Sequence, residues 1–108
     1  MTLHTQAVLT VLLEHPTREF YGLQISQRAD LATGTIHPIL ARLEGIGWLE
    51  SRWEEIDPVQ AGRPRRRYYR LSPDGAEQAR QALATARTKL SGLFARRPPA
   101  LGVNGDAL

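Results

Sequence analysis

Five arginines, Arg63, Arg65, Arg66, Arg67 and Arg70, crowd together behind a stretch broken by Pro58, Gly62 and Pro64. A guanidinium presents a rigid fork of donors that fits phosphate oxygens and guanine edges, so arginines on a flexible tip are a means of gripping a polyanion. Taken alone, a charge run is most often a solvated surface. A second stretch, residues 33–49, changes its meaning. There Ile36, Ile39, Leu40, Leu43 and Ile46 recur at the spacing of one helix face, while Gly34, His37, Pro38, Ala41 and Gly45 fall on the opposite, low face. Such a helix can rest on a core and still press its outer side into a groove, and the major groove of DNA admits one α-helix.

On this helix the residues able to touch DNA are Thr33, Thr35, His37, Pro38 and Arg42. Hydroxyls and free N–H groups at a helix N-terminus suit phosphate, and His37 and Arg42 carry donors for base edges. A histidine that merely packs on backbone is an equal alternative for His37. Tyr21 and Gln24, just upstream, suit contacts to the sugar-phosphate backbone, although Tyr21 would serve equally in the core. From the arginine stretch, Arg63, Arg65 and Arg66 are expected to reach phosphates or the minor groove. Arg67 and Arg70 are expected to pair across a strand with Glu50 or Glu54.

Other chemistries find little footing. There are no cysteines, and His4, His15 and His37 are spaced too widely for a metal-binding HxxxH or HExxH pattern. No Gly-rich phosphate loop follows a strand, and no nucleophile has a base at recognisable spacing, so neither catalysis nor a cofactor is expected. Trp48 and Trp53 read as packing residues. The formal charge of +3 and a pI of about 10.0 favour a polyanionic partner. Lys89 is the only lysine, which a codon preference for arginine explains equally well. No segment approaches the ~20 apolar residues of a membrane span, and no targeting segment is evident, so a cytoplasmic protein is expected.

These residues need a scaffold, and the chain supplies one in order. Residues 2–15 are apolar on nearly every side of a helix, which predicts burial on more than one face and contact with a second subunit. Residues 21–29 read as a shorter helix, and Asp30-Leu31-Ala32 as the turn of a helix-turn-helix. Thr35, or alternatively Thr33, is the expected N-cap of the next helix, with Pro38 near its first turn. Residues 48–54 and 67–71 alternate as strands joined by a long basic hairpin. Ser72-Pro73-Asp74 starts a final helix, whose Ala76, Ala79, Leu83, Ala86, Leu90 and Leu93 form a heptad seam. That seam would close on a second copy or on the chain's own first helix. Residues 96–108, with Pro98-Pro99 and little apolar mass, are expected to be disordered.

The fold class expected is therefore α+β, mainly helical: a winged helix-turn-helix (1–72), a C-terminal dimerisation helix (73–95) and a tail (96–108). Three motifs, Tyr21-Gly22-Leu23-Gln24-Ile25, Gly34-Thr35-Ile36-His37-Pro38-Ile39-Leu40-Ala41-Arg42-Leu43-Glu44 and Gly62-Arg63-Pro64-Arg65-Arg66-Arg67-Tyr68-Tyr69-Arg70-Leu71-Ser72, occur in this order. They resemble the PadR family of bacterial transcriptional regulators, whose patterns read roughly YGYEI, GTLYPAL-x-RLE and GRxRRxYRLT. The resemblance spans residues 3–93 and implies a homodimeric repressor with paired recognition helices and wings. His37 stands where that family usually has tyrosine, and one helix follows the wing, as in the family's short branch. In that family the first and last helices sometimes enclose a small-molecule pocket, and in one short branch aromatic residues of the last helix sandwich flat drugs. Here that helix offers only Phe94, so the resemblance lends an effector little support, and a small molecule near Trp48, Trp53 or Phe94 stands as an alternative reading. The function expected is sequence-specific binding of double-stranded DNA. The alternatives are a winged helix that docks an acidic protein surface, or a ligand-sensing regulator.

Overall fold

The computed structural model describes residues 1–95, with side chains through Leu93. The expected tail at 96–108 and the Phe94 side chain lie outside the described residues. The chain runs α1 (Leu3–Glu14), β1 (Phe20–Tyr21), α2 (Gly22–Ala29), α3 (Thr33–Gly45), β2 (Leu49–Trp53), α4 (Pro58–Ala61), β3 (Arg67–Leu71) and α5 (Pro73–Ala95). This is the α+β winged helix-turn-helix expected.

The apolar stripes meet where their periods place them. Val8, Leu9 and Leu12 of α1, Ile25 of α2 and Ile36, Leu40 and Leu43 of α3 close on Phe20, Leu49, Leu71 and Ala79 in one core. Each large side chain buried this way stabilises the fold by roughly 1.5 to 3 kcal/mol. Arg18 and Arg28 lay their guanidinium groups over the Phe20 ring, 5.0 and 5.5 Å from its centre. Thr2 caps α1, its hydroxyl oxygen accepting the Thr5 N–H at 3.1 Å.

The α2–α3 turn is held by its own polar atoms. Asp30 adopts a left-handed conformation at φ 55°, and the Ser26 hydroxyl donates to the Leu31 carbonyl. The residue capping α3 is Ala32, which offers no side-chain bond, so neither Thr35 nor Thr33 is the N-cap. The tight turn fixes the start of the helix, and cap preference yields to it. Pro38 consequently sits one turn deeper than expected, as the sixth residue of α3. Its missing N–H leaves the Gly34 carbonyl without a helical donor. Gly34 and Pro38 are both exposed, so that carbonyl is not buried without a partner. At the far end Ile46 is turned out to solvent, 58% exposed. The chain reverses at Gly47, φ 83°, and Trp48 donates its N–H back to Leu43 at 2.9 Å.

The sheet is antiparallel in the order β1-β3-β2. Its long hairpin pairs Leu49 with Leu71, Glu50 with Arg70, Ser51 with Tyr69, Arg52 with Tyr68 and Trp53 with Arg67. The expected strands are therefore present, and two elements join them that periodicity could not register. β1 pairs Phe20 with Tyr69 and Tyr21 with Tyr68, tying the base of the wing to the helix-turn-helix. Within the wing, α4 is a single turn started by Asp57, whose carboxylate accepts the Val59 N–H at 3.0 Å.

α5 begins as expected. The Ser72 hydroxyl oxygen accepts the Gly75 N–H at 2.9 Å and itself donates to the Gly47 carbonyl at 2.8 Å. The heptad seam divides in two. Ala76, Ala79 and Leu83 are buried in the chain's own core, whereas Leu90 and Leu93 are 53% and 65% exposed.

Candidate nucleic-acid interface

α3, the start of α2 and the sheet meet around an open cleft of about 350 Å³, lined by Tyr21, Gly22, Thr33, His37, Trp53 and Arg66 among others. Four of the residues singled out from the sequence, Tyr21, Thr33, His37 and Arg66, are thus brought together. Gly22 makes this possible, because a Cβ there would stand 3.1 Å from His37 Cε1. Arg66 lies over the Tyr21 ring, 4.2 Å from its centre, and the Tyr21 ring meets Tyr68 edge-on at 5.7 Å. The outer face of α3, with Gly34, His37, Pro38 and Ala41, is exposed along its length. It is a low ridge beside a cationic wall.

The remaining candidates have other positions. Gln24 caps α2, its Oε1 accepting the Tyr21 N–H at 3.1 Å. Thr35, one residue before the buried Ile36, is half-buried. Arg42 is turned away from the cleft and donates from Nη2 to the Thr5 hydroxyl at 3.2 Å. It lines a separate groove of about 670 Å³ with Met1, Leu43, Ile46, Trp48 and Ala82.

In the wing, Arg63 holds both oxygens of Glu54 at 2.7 and 2.8 Å. These bonds, with help from the Arg66 backbone N–H, pull the Glu54 carboxyl down to about 2. Arg65 is exposed and donates from Nε to the Ile56 carbonyl at 3.1 Å. Arg70 pairs with Glu50 at 3.1 Å, as expected. Arg67 departs from expectation: it reaches Glu44 of α3 at 3.5 Å and stacks over Trp53, neither Glu50 nor Glu54 being its partner. Trp53 is 57% exposed and packs on the hairpin, as a platform for that arginine, rather than in the core. A further bidentate pair, Arg52 with Glu19 at 2.7 and 2.8 Å, clips β2 to the segment before β1 and holds the Glu19 carboxyl below its ordinary range.

Sequence reasoning names Glu54 and Trp53 but gives them other roles: it pairs Glu54 with Arg67 or Arg70, where Glu54 binds Arg63, and it does not place Trp53 at the cleft. The signal was the hairpin register: with Trp53 opposite Arg67, residue 54 must stand opposite Arg66. Among the described residues no group of three or more His, Cys, Asp or Glu side chains is placed to hold a metal ion, and no helix is long and apolar enough to cross a membrane.

A model of the PadR-like family of transcriptional regulators matches residues 8–81. None of the curated proteins matches the chain. Among solved structures, it is similar to a PadR family transcriptional regulator from Eggerthella lenta DSM 2243, with 23% identity and a TM-score of 0.68 over 94% of this chain and 88% of that one. It is also similar to a transcriptional regulator homologue from Pyrococcus horikoshii OT3, at 20% identity and TM-score 0.64, covering 82% and 81% of the two chains. A third is Bordetella bronchiseptica BpsR, at 17% identity and TM-score 0.67, covering 93% and 70%, whose DNA binding is described as regulated by 6-hydroxynicotinic acid. At these identities the structural likeness speaks for the fold. The family match takes in the helix-turn-helix, the whole wing and the start of α5, and on that ground this chain belongs to the PadR-like family of DNA-binding transcriptional regulators, which are not enzymes.

Proposed function

We propose that two copies of this chain bind an inverted-repeat site on double-stranded DNA and repress transcription from it. The observation that carries this reading is the cleft itself, where the exposed ridge of α3, with Thr33 and His37, stands beside Arg66 on its Tyr21 platform. In this reading α3 enters the major groove, Thr33, Thr35, His37 and Pro38 face the DNA, and the wing arginines follow the backbone or the adjacent minor groove. Tyr21 and Gln24 border the phosphates. Arg42, engaged with Thr5, is left out of the contact surface.

The second copy is supported by an apolar groove of about 500 Å³ between the start of α1 and the end of α5. Met1, Leu3, Leu90 and Leu93 line it, all more than half exposed. Two-fold symmetry then places half-site centres about 10 base pairs apart, or a multiple of that. Selecting bound sites from a random duplex pool tests the reading. An inverted repeat with one fixed spacing is expected, and a promoter carrying it should be silenced by the protein in a reporter strain. Sites without symmetry, or increased reporter output, would overturn it.

A second reading, in which a small molecule tunes DNA affinity, is favoured by the groove at Arg42 and Trp48. It offers apolar walls of Leu43 and Ile46 and a side-chain cation for an acidic group. Quenching of tryptophan fluorescence by a panel of flat aromatic acids, lost in Arg42→Ala, is the expected outcome. An unquenched signal across the panel would remove this reading.

A further inference from the structure

The wing arginines are held in different ways, and Glu54 sets Arg63 apart from the others. Glu54 extends the hairpin one rung past Trp53, donating its N–H to the Arg66 carbonyl at 2.8 Å. Its carboxylate takes the Arg66 N–H at 3.2 Å and both terminal nitrogens of Arg63. Arg63 Nη1 also donates to the Pro64 carbonyl at 3.3 Å, immediately after Gly62 turns the chain at φ 71°. Arg63 thus closes the wing upon itself. To reach a phosphate it would exchange one bidentate anion for another and leave an unpaired carboxylate beside the DNA backbone, which repels it.

Arg65 is built differently. It is exposed, tethered only at Nε to the Ile56 carbonyl, and flanked by Trp53, Pro58 and Pro64. No carboxylate among the described residues lies within ion-pair distance of it. Holding one nitrogen to the wing aims the others outward, between apolar neighbours that tolerate sugar edges. An arginine so presented suits the narrow, strongly negative minor groove of A·T-rich DNA.

We propose that Glu54 is a positioning residue that withdraws Arg63 from DNA contact to brace the wing, leaving Arg65 as the side chain that enters the minor groove and sets a preference for A·T pairs beneath it. The proposal rests on the DNA-binding reading above, and its test is chosen so that the two can fail separately. Full-length chains carrying Glu54→Ala, Arg63→Ala, both, or Arg65→Ala are compared for affinity to the selected duplex, for base preference beneath the wing, and for limited trypsin cleavage after Arg66 without DNA. Glu54→Gln, which keeps an acceptor for the Arg66 N–H, replaces Glu54→Ala if the latter does not fold. Arg65→Ala should weaken binding at least about fivefold and erase the A·T preference while leaving cleavage unchanged. Glu54→Ala and Arg63→Ala should both speed cleavage and weaken binding by one common factor, with the double variant no worse than either. A double variant that binds clearly worse than either single variant, or a loss on Arg63→Ala without faster cleavage, would overturn the proposal. If the wild-type chain bound no duplex, the DNA reading alone would fall, and unchanged cleavage in both variants would still refute the brace.

Discussion

At the scale of single residues, chemistry and geometry part company at the arginines. Arg63, Arg65 and Arg66 are equivalent as letters, yet one clasps Glu54, one is tethered to a backbone carbonyl and one stacks on Tyr21. Composition located the cationic surface correctly and was silent on the division of labour, because pairing depends on hairpin register and not on residue type. The same holds for Arg42, whose turn of the helix faces α1. His37, by contrast, was legible, since its face follows from helical period alone. In the proposed complex His37→Ala should weaken specific binding by roughly 1 to 3 kcal/mol and relax preference at one base pair, as read by fluorescence anisotropy against single-base variants of the site. The Glu54 carboxyl, ordinarily near 4.5, titrates at about 2 in the folded chain. Its depressed value means the wing contact is fully present above the ordinary value and is lost as pH falls through the folded one. The Arg66 amide should accordingly keep its hydrogen-exchange protection from neutral pH down to about pH 5 and surrender it on further acidification. Protection already gone at pH 6 would contradict the assignment.

At the scale of elements, the sequence marked α1, α2, β2, β3 and α5 within a residue or two, since each carries a period or a start signal long enough to read. It marked α3 at its end but not at its start, which lies three residues earlier than the Thr35 cap implied. It did not mark β1 or α4. Two residues cannot display alternation, and Phe20–Tyr21 is a strand only because β3 lies beside it. Nor could the seam of α5 announce its division: Ala76 and Leu90 occupy equivalent heptad positions, and only the end of the core distinguishes them. The division makes opposite predictions for the two halves. Leu83→Ala, in the buried half, should cost about 2 to 5 kcal/mol in chemical denaturation. Leu90→Asp should leave the monomer's melting transition in place and abolish self-association in sedimentation. Gly75 is the point where α5 meets the rest of the fold, because a Cβ there would stand 2.1 Å from the Trp48 carbonyl oxygen, an immovable backbone atom. Gly75→Ala should therefore destabilise by about 1 to 3 kcal/mol or more, although alanine is the better helix former by about 1 kcal/mol.

At the scale of the whole molecule, the proposed complex is an electrostatic one. Neutralising some 6 to 10 phosphates across both subunits would make affinity fall by about three to five orders of magnitude between 50 and 200 mM salt. A titration of binding against salt that came out flat would leave the arginines without their assigned partner. The order of binding strengths also depends on protein concentration, since the end of α5 is exposed in the single chain and a monomer would bring only half a site. The short β1 strand carries a last consequence. It bonds the wing's inner strand to the root of α2, and Arg67 with Glu44 and Arg52 with Glu19 rivet the same joint from either side. The base of the wing and the ridge of α3 are therefore joined through the same few residues. In the dimer proposed above, a signal that loosens the grip on DNA would then work by changing the distance between the two copies' reading heads, leaving each head intact.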